Sequence, residues 1–325
     1  MTRRADHMAQ ICVVGSINAD LAVRVSRHPL PGETLLGTGA LITAGGKGAN
    51  QAVAAANLGA QVSMVGAVGR DANAQPALEY LKRAGVDLQF VHEVEAPTGL
   101  ALITVSEDAE NTIVVVPGAN STVDEQQVRK AKSVIAGADI VVLQGEIPAS
   151  GFVEAVRLAT GKVMVNLAPV IDVPTDVLLH ADPLVANEHE AGLILGLYGV
   201  DVTAAASNAA ASNAANAAES SEEDMAVALR KVGFANVVIT RGSRGAVVAT
   251  DDGVTPILPA TVTAVDSTGA GDAFVGALAA ELVQGSSLVS AAQHAARVGA
   301  FATTRQGAQT SYPTPADELP EVAHT

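Results

Sequence analysis

One cysteine, Cys12, is all the thiol chemistry that this chain of 325 residues contains. That excludes an intrachain disulfide and a zinc site built from several thiolates. Its place inside the apolar run Ile11–Val14 marks it as a small core residue. Long apolar stretches are missing as well. Val, Ile, Leu and Ala come in short runs broken by Gly, Asp and Asn, and none approaches the roughly 20 residues that a membrane-spanning helix requires. Positive charge is scarce, with 19 Lys and Arg against 34 Asp and Glu and a formal net charge of −15. The overall field of such a chain repels nucleic acid and anionic membranes, so neither is an expected partner. A small anionic ligand remains possible where backbone amides and a metal ion reverse the field locally, which directs attention to Gly-rich loops. The first ten residues carry Arg3 and Arg4 but no apolar stretch with a cleavage site. They read as a leader, and the protein as cytoplasmic.

What the chain does contain is 49% hydrophobic residues, enough for a sizeable core. Strand-like runs at 11–15, 61–68, 139–143, 162–166, 184–186 and 236–240 alternate with helical stretches at 48–58, 74–84, 122–135, 150–160 and 188–196. This rhythm predicts an α/β fold with a mostly parallel sheet covered by helices. Two regions break it. Ala19–Val25 and Glu33–Leu41 flank a turn at Pro29, Pro31 and Gly32, while Phe90–Val94, Leu100–Val105 and Thr112–Val116 follow one another without a helix and read as antiparallel. Together, about 17–43 and 89–118, they predict a small β lid on a single domain of residues 11–312. Residues 203–221, almost all Ala, Ser and Asn, read as a low-complexity insertion, and the acidic tail 313–325 as peripheral.

The strongest chemical signal is Asp266-Ser-Thr-Gly-Ala-Gly-Asp272, which enters the Ala- and Leu-rich helix 273–283. A Gly-rich turn that opens a helix presents unpaired N–H groups and the positive end of the helix dipole to a phosphate. Asp272, in the first turn, is placed to accept a proton from an attacking hydroxyl. By itself the motif serves equally as an acidic helix start. Upstream, Gly45-Gly46-Lys47-Gly48-Ala49-Asn50 leads into helix 48–58 but lacks the spacing and the Ser or Thr of a Walker A loop. Asn18 and Asp20, two apart in an extended stretch, share a face and can grip vicinal hydroxyls.

Asn18-Ala-Asp20, Gly45 to Gln51 and Asp266 to Asp272, in this order and spacing, resemble the signature regions of the ribokinase family of carbohydrate and nucleoside kinases, over about Ile11 to Ser311. The resemblance implies a three-layer α/β/α sandwich with a β lid, and in-line transfer of the γ-phosphate of Mg·ATP to the 5-hydroxyl of D-ribose. Asp272 would be the base, and Asn18, Asp20, Gly46, Lys47, Asn50, Glu146 and Asp272 would hold the sugar. The amides of Gly269, Ala270 and Gly271 would form an anion hole. Asn187, together with Thr240, Arg241, Gly242, Ser243, Arg244, Gly245 and Gly271, would bind the nucleotide. Taken alone, Asn187 reads as a helix N-cap, Glu146 as a loop carboxylate and 240–245 as a plain turn. Glu190 would reach Mg²⁺ through water. Asp266, Thr268, Ala302, Arg305, Gly307 and Ser311 would hold K⁺ by the same resemblance. Family members often carry Asn or His where this chain has Ala296, with His294 two residues away. Two lids are expected to clasp in a homodimer. Phosphorylation of deoxyribose or adenosine is the nearest alternative, and a catalytically silent sugar-binding regulator a more distant one.

Overall fold

The computed structural model describes residues 10–107, 111–200 and 221–323. The expected leader, except Gln10, and the insertion, except Ser221, lie outside the described residues. Ser221 is the N-cap of the helix that follows.

Alternation within the strands builds two cores. In β1 (Gln10–Val14), Ile11 and Val13 enter one apolar cluster, and Cys12 and Val14 the other. The same split recurs in β8 (Ile140–Gln144), where Ile140 and Val142 lie opposite Val141 and Leu143. A strand buried on both faces needs apolar residues at every position, and this is why these runs are continuous in the sequence. Burial pushes the Cys12 thiol up to about 12, so it is an inert core group.

Around these strands runs a nine-stranded sheet in the order β13-β12-β11-β10-β9-β8-β1-β4-β5. It comprises β4 (Gln61–Gly69), β5 (Asp87–Val94), β9 (Lys162–Asn166), β10 (Ala181–Asn187) and β11 (Val237–Thr240), all parallel to β1 and β8. The antiparallel strands β12 (Ala246–Thr250) and β13 (Gly253–Ile257) close one edge. One face carries α1 (Lys47–Asn57) and α2 (Ala74–Arg83), and with them α9 (Ala270–Val283) and α10 (Leu288–Ala302). The other carries α3 (Glu125–Lys130), α4 (Lys132–Gly137), α5 (Ala149–Leu158), α6 (Thr175–Leu178), α7 (Glu188–Leu197) and α8 (Glu222–Val232). The three-layer sandwich expected from the sequence is therefore present.

A separate four-stranded sheet has the order β3-β2-β6-β7, formed by β2 (Asn18–Arg24), β3 (Gly39–Gly45), β6 (Gly99–Val105) and β7 (Asn111–Val116). It differs from expectation in two respects. Phe90–Val94 belongs to β5 and pairs in parallel with β4 at the edge of the large sheet, so the chain enters the small sheet only after Thr98. The second strand of the first pair begins at Gly39, and it is β2 and β6 that run parallel. Directly paired residues share a face. Asp20, Thr43 and Ala101 are on the inner side, and Leu21, Ile42, Leu102 and Val114 on the outer.

Two further expectations are corrected. The helix expected at 122–135 begins only at Glu125, where the Asp124 side chain accepts from the Gln127 N–H at 3.0 Å, and it is divided at Ala131, whose backbone leaves the helical conformation, into two short helices. The tail after Pro313 is not peripheral: Thr261 N–H donates to the Glu321 carbonyl at 3.1 Å, and Ala323 N–H to the Pro259 carbonyl at 2.9 Å.

Candidate active site

Both chemical helices begin at glycines whose geometry excludes a side chain. Gly46, the N-cap of α1, has φ +89°, and a Cβ there would stand 2.8 Å from the Asn18 nitrogen. Gly269, the N-cap of α9, has φ +72°, and a Cβ would stand 2.6 Å from the Tyr312 hydroxyl and from Ala308 Cβ. The two tight starts bring the first turns of α1 and α9 together. Asp272 Oδ2 accepts from Asn50 Nδ2 at 2.9 Å, and its Oδ1 from Gln51 Nε2 at 3.0 Å. Lys47 Nζ lies 3.8 Å from Oδ1, and the Asp272 charge holds the lysine above its ordinary pKa.

Buried carboxamides fix this arrangement from behind. Gln144 donates to Gln51 Oε1 at 2.7 Å, Gln51 also donates to Asn166 Oδ1 at 3.1 Å, and Asn166 donates to the Val185 carbonyl at 3.1 Å. Gln309 donates to Asn50 Oδ1 at 2.9 Å. Sequence reasoning missed these four glutamines and asparagines, although Gln51 directly follows the Gly-Gly-Lys-Gly-Ala-Asn motif and Gln309 lies within segment 302–311.

The expected sugar residues gather on the same side. Glu146 Oε2 accepts from the Ser16 hydroxyl at 2.5 Å and from the Lys47 N–H at 3.0 Å, so Ser16 is a further member that the sequence did not reveal. Asn120 donates to Asn18 Oδ1 at 2.7 Å and accepts from the Ile17 N–H at 2.9 Å, which sets the orientation of Asn18. The Asp20 carboxylate lies over Gly45, where a Cβ would come within 2.1 Å of it. One of its oxygens is buried with no hydrogen-bond partner among the described residues. Burial, reinforced by the charges of Glu146 and Asp272, raises the Asp20 pKa to about 7. Such an oxygen is ready for a hydroxyl donor.

Two cavities flank the turn 266–271. One, of about 510 Å³, is lined by Thr240, Gly242, Ser243 and Gly245 on one side and by Ala270, Gly271 and Ala296 on the other. The second, of about 600 Å³, runs between the inner face of the small sheet, at Asp20 and Arg24, and Asp266, Thr268 and Gly307. Ala264 and Ser267 line both. The Ala270 N–H donates to the Ser267 carbonyl at 3.2 Å, so of the three expected anion-hole amides this one is engaged in the turn. Among the described residues no protein acceptor meets the Gly271 N–H, and the space where its Cβ would stand is open.

Arg241 and Arg244 do not line the first cavity. Arg241 pairs with Glu223 at 2.9 Å, and Arg244 with Glu222, both in the acidic first turn of α8. Ala296 lines the first cavity and His294 does not; His294 lies 3.8 Å from Glu281. Asn187 and Glu190 close a capping box at the start of α7, with the Asn187 N–H donating to Glu190 Oε2 at 3.0 Å and the Glu190 N–H to Asn187 Oδ1 at 2.8 Å. Burial raises the Glu190 pKa against the pull of that bond and of Lys47.

The Asp266 carboxylate spans the two segments expected to hold a cation, accepting from the Thr268 N–H at 2.9 Å and from the Gly307 N–H at 2.8 Å. Burial alone would raise it, but these bonds outweigh burial and hold it below its ordinary value. Arg305 turns its guanidinium over the Phe301 ring and to Asp317, and the buried Ser311 hydroxyl donates to the Ala308 carbonyl at 2.7 Å. Ala302 ends α10 in the same segment.

Fold and site together define a carbohydrate kinase: the chain belongs to the pfkB family of carbohydrate kinases, whose profile covers residues 8–315. It is 34% identical to the ribokinase of Haemophilus influenzae over 97% of this chain and 98% of that protein. To the deoxyribokinase of Salmonella typhi it is 32% identical, over 93% and 95% of the two chains. The structure of Arabidopsis thaliana ribokinase complexed with ribose and ATP superposes with a TM-score of 0.81 at 30% identity, covering 95% of this chain and 96% of that one.

Proposed function

We propose that this kinase transfers the γ-phosphoryl group of ATP to the 5-hydroxyl of D-ribose, giving ribose 5-phosphate and ADP. The observation that carries the reading is the position of Asp272. Its carboxylate is held by Asn50 and Gln51 beside Lys47 on the sugar side, while its neighbour Gly271 lines the cavity suited to the nucleotide. One helix turn thus joins the acceptor and donor halves of the reaction.

Asp272 takes the proton of the attacking hydroxyl. The Gly271 N–H and the positive end of α9 stabilise the charge that develops on the transferred group. Lys47 offsets part of the carboxylate charge on the sugar side, and the Asp20 oxygen that has no partner among the described residues receives a sugar hydroxyl. Deoxyribose offers one hydroxyl fewer, and a buried acceptor left unpaired is costly, so the Asp20 site favours ribose.

Magnesium ordinarily binds through a carboxylate or two plus phosphate oxygens and water, and when bound it neutralises phosphate charge. Glu190, within reach of the Lys47 and Asp272 charges, would hold it through water. A potassium ion would find its oxygens around Asp266, whose carboxylate already ties residues 266–268 to Gly307, and when bound it would fix the turn that presents Gly271. The outer face of the small sheet exposes Ile42, Leu102 and Val114, and Leu21, Val23, Leu35 and Leu102 line a groove on it. A second copy of the same sheet is the partner that would cover it, which makes the chain a homodimer. No helix among the described residues is long and apolar enough to cross a membrane.

Formation of ADP with ribose, deoxyribose, fructose and adenosine side by side tests the assignment. Ribose should give the highest kcat/KM, and a higher value for any of the other three overturns it.

A further inference from the structure

The nucleotide cavity has a wall that neither the signature turns nor the loop 240–245 supplies. Residues 319–323 run antiparallel to the stretch after β13, with Ala260 opposite Val322 and the two main-chain hydrogen bonds described above on either side. Arg297 on α10 secures them: its Nε donates to the Pro320 carbonyl at 2.8 Å and a terminal nitrogen to the Leu319 carbonyl at 2.9 Å. The adjacent residue, Ala296, lines the cavity. One turn earlier, Gln293 donates to the Leu258 carbonyl at 3.0 Å, so a short length of α10 grips both strands of the wall. Ala323 itself reaches the cavity.

This wall has a specific task because of what the cavity is made of. Among the described residues lining it there is no carboxamide, carboxylate or imidazole, and its polar side chains are all hydroxyls, such as those of Thr261 and Thr303. A base is then told from other bases by shape and by main-chain edges. That works only if the main chain is held rigid. A cavity of about 510 Å³ is within the range that takes a nucleoside-sized ligand.

We infer that residues 319–323, clamped by Arg297, are the nucleobase wall of the donor pocket and set its preference for a purine nucleotide. The inference rests on the reading of this cavity as the ATP site. Arg297 is a positioning residue here, and Ala323 a contact residue.

The test is steady-state kinetics at saturating ribose with ATP and UTP as donors, together with the KM for ribose. Arg297→Ala is expected to raise the KM for ATP about 5- to 20-fold with kcat and the ribose KM little changed, the pattern of lost ground-state binding. Arg297→Lys, which keeps one donor, should fall between. Ala323→Phe shortens the pocket and is expected to lower the ATP-to-UTP ratio of kcat/KM at least about fivefold, since the larger base suffers more. The inference is overturned if Arg297→Ala keeps the wild-type KM for ATP or raises the ribose KM equally, or if Ala323→Phe lowers both donors alike. Should Arg297→Ala fail to fold, the Lys and Ala323 variants decide. A wild-type protein inactive with ribose and ATP would instead refute the proposed function, a result distinct from active enzyme with insensitive variants.

Discussion

The two sheets use apolar residues in opposite ways. In the large sheet every central strand is covered on both faces, and Val142 is only 1% exposed. In the small sheet the same kind of residue is left in solvent, with Val114 59% and Leu41 63% exposed. The large sheet spends its hydrophobic surface on its own stability. The small sheet holds its surface for something else: Leu41 and Asp20 line a cavity on the inner side, and Leu21 and Leu102 a groove on the outer. Residues anchored to the first sheet should therefore govern chemistry, and residues of the second should govern binding and assembly.

The largest effect that can break this division is at Asp272. Asp272→Asn keeps the shape but loses the base, and kcat is expected to fall about 10²–10⁴-fold with ribose binding largely kept. Turnover within a few-fold of wild type would remove Asp272 from the mechanism.

Next comes Asp20→Asn on the small sheet, expected to raise the ribose KM about 10²-fold with a smaller effect on the KM for ATP. This variant also carries a stability signature. The Asp20 carboxyl titrates at about 7 in the folded chain against an ordinary 3.8, so between these values the folded state retains a proton that the unfolded state releases. Stability is therefore lost as pH rises through that window, and the full cost is present at pH 8. Asp20→Asn should be more stable than wild type at pH 8, by about 1–3 kcal/mol, and no more stable below pH 4, as read from melting curves across pH. A variant less stable than wild type at pH 8 would contradict the orphaned carboxylate.

A smaller change is expected from Val114→Lys on the outer face. It should weaken dimer association at least about tenfold in sedimentation equilibrium while the melting profile of the large domain stays in place. An unchanged dimer would place the interface elsewhere. The smallest effect expected is that of the salt. Replacing Na⁺ by K⁺ at constant ionic strength should raise kcat or ATP affinity about 2- to 10-fold, and Asp266→Ala should abolish the response. Equal rates in both salts would refute the cation site.

Much of this division was legible in the sequence. Continuous apolar runs such as Ile140–Leu143 announce strands buried on both sides, and the turns at Gly46 and Gly269 announce the helices that carry Lys47, Asn50 and Asp272. Phe90–Val94 was misassigned because a strand reveals its pattern and not its partner. The choice of β4 over β6 is made by tertiary pairing at residues such as Val65, opposite Phe90. Arg241 and Arg244 are expected at the nucleotide by resemblance, and the carboxylates of α8 that pair with them in this structure are not visible from the sequence around the loop. The carboxamides behind Asp272 come from segments up to 259 positions apart, and a lone Gln or Asn carries no periodic signal. The tail was misread for a similar reason: its main-chain bonds to 259–261 have no side-chain signature.

The ring of carboxamides around Asp272 also sets the route a proton can take. The amide nitrogens point in one direction, from Gln144 to Gln51 and from Gln309 to Asn50, both ending on the carboxylate, while the Gln144 and Gln309 oxygens meet no partner among the described residues. Neutral amides donate hydrogen bonds but do not pass protons on at ordinary pH. The interior behind Asp272 thus offers no relay, and in the proposed reaction the proton taken from the sugar would leave through the opening by which the substrate enters. On that reading the carboxylate would be reset only when water reaches the sugar side again, so solvent access there would be a step of the cycle.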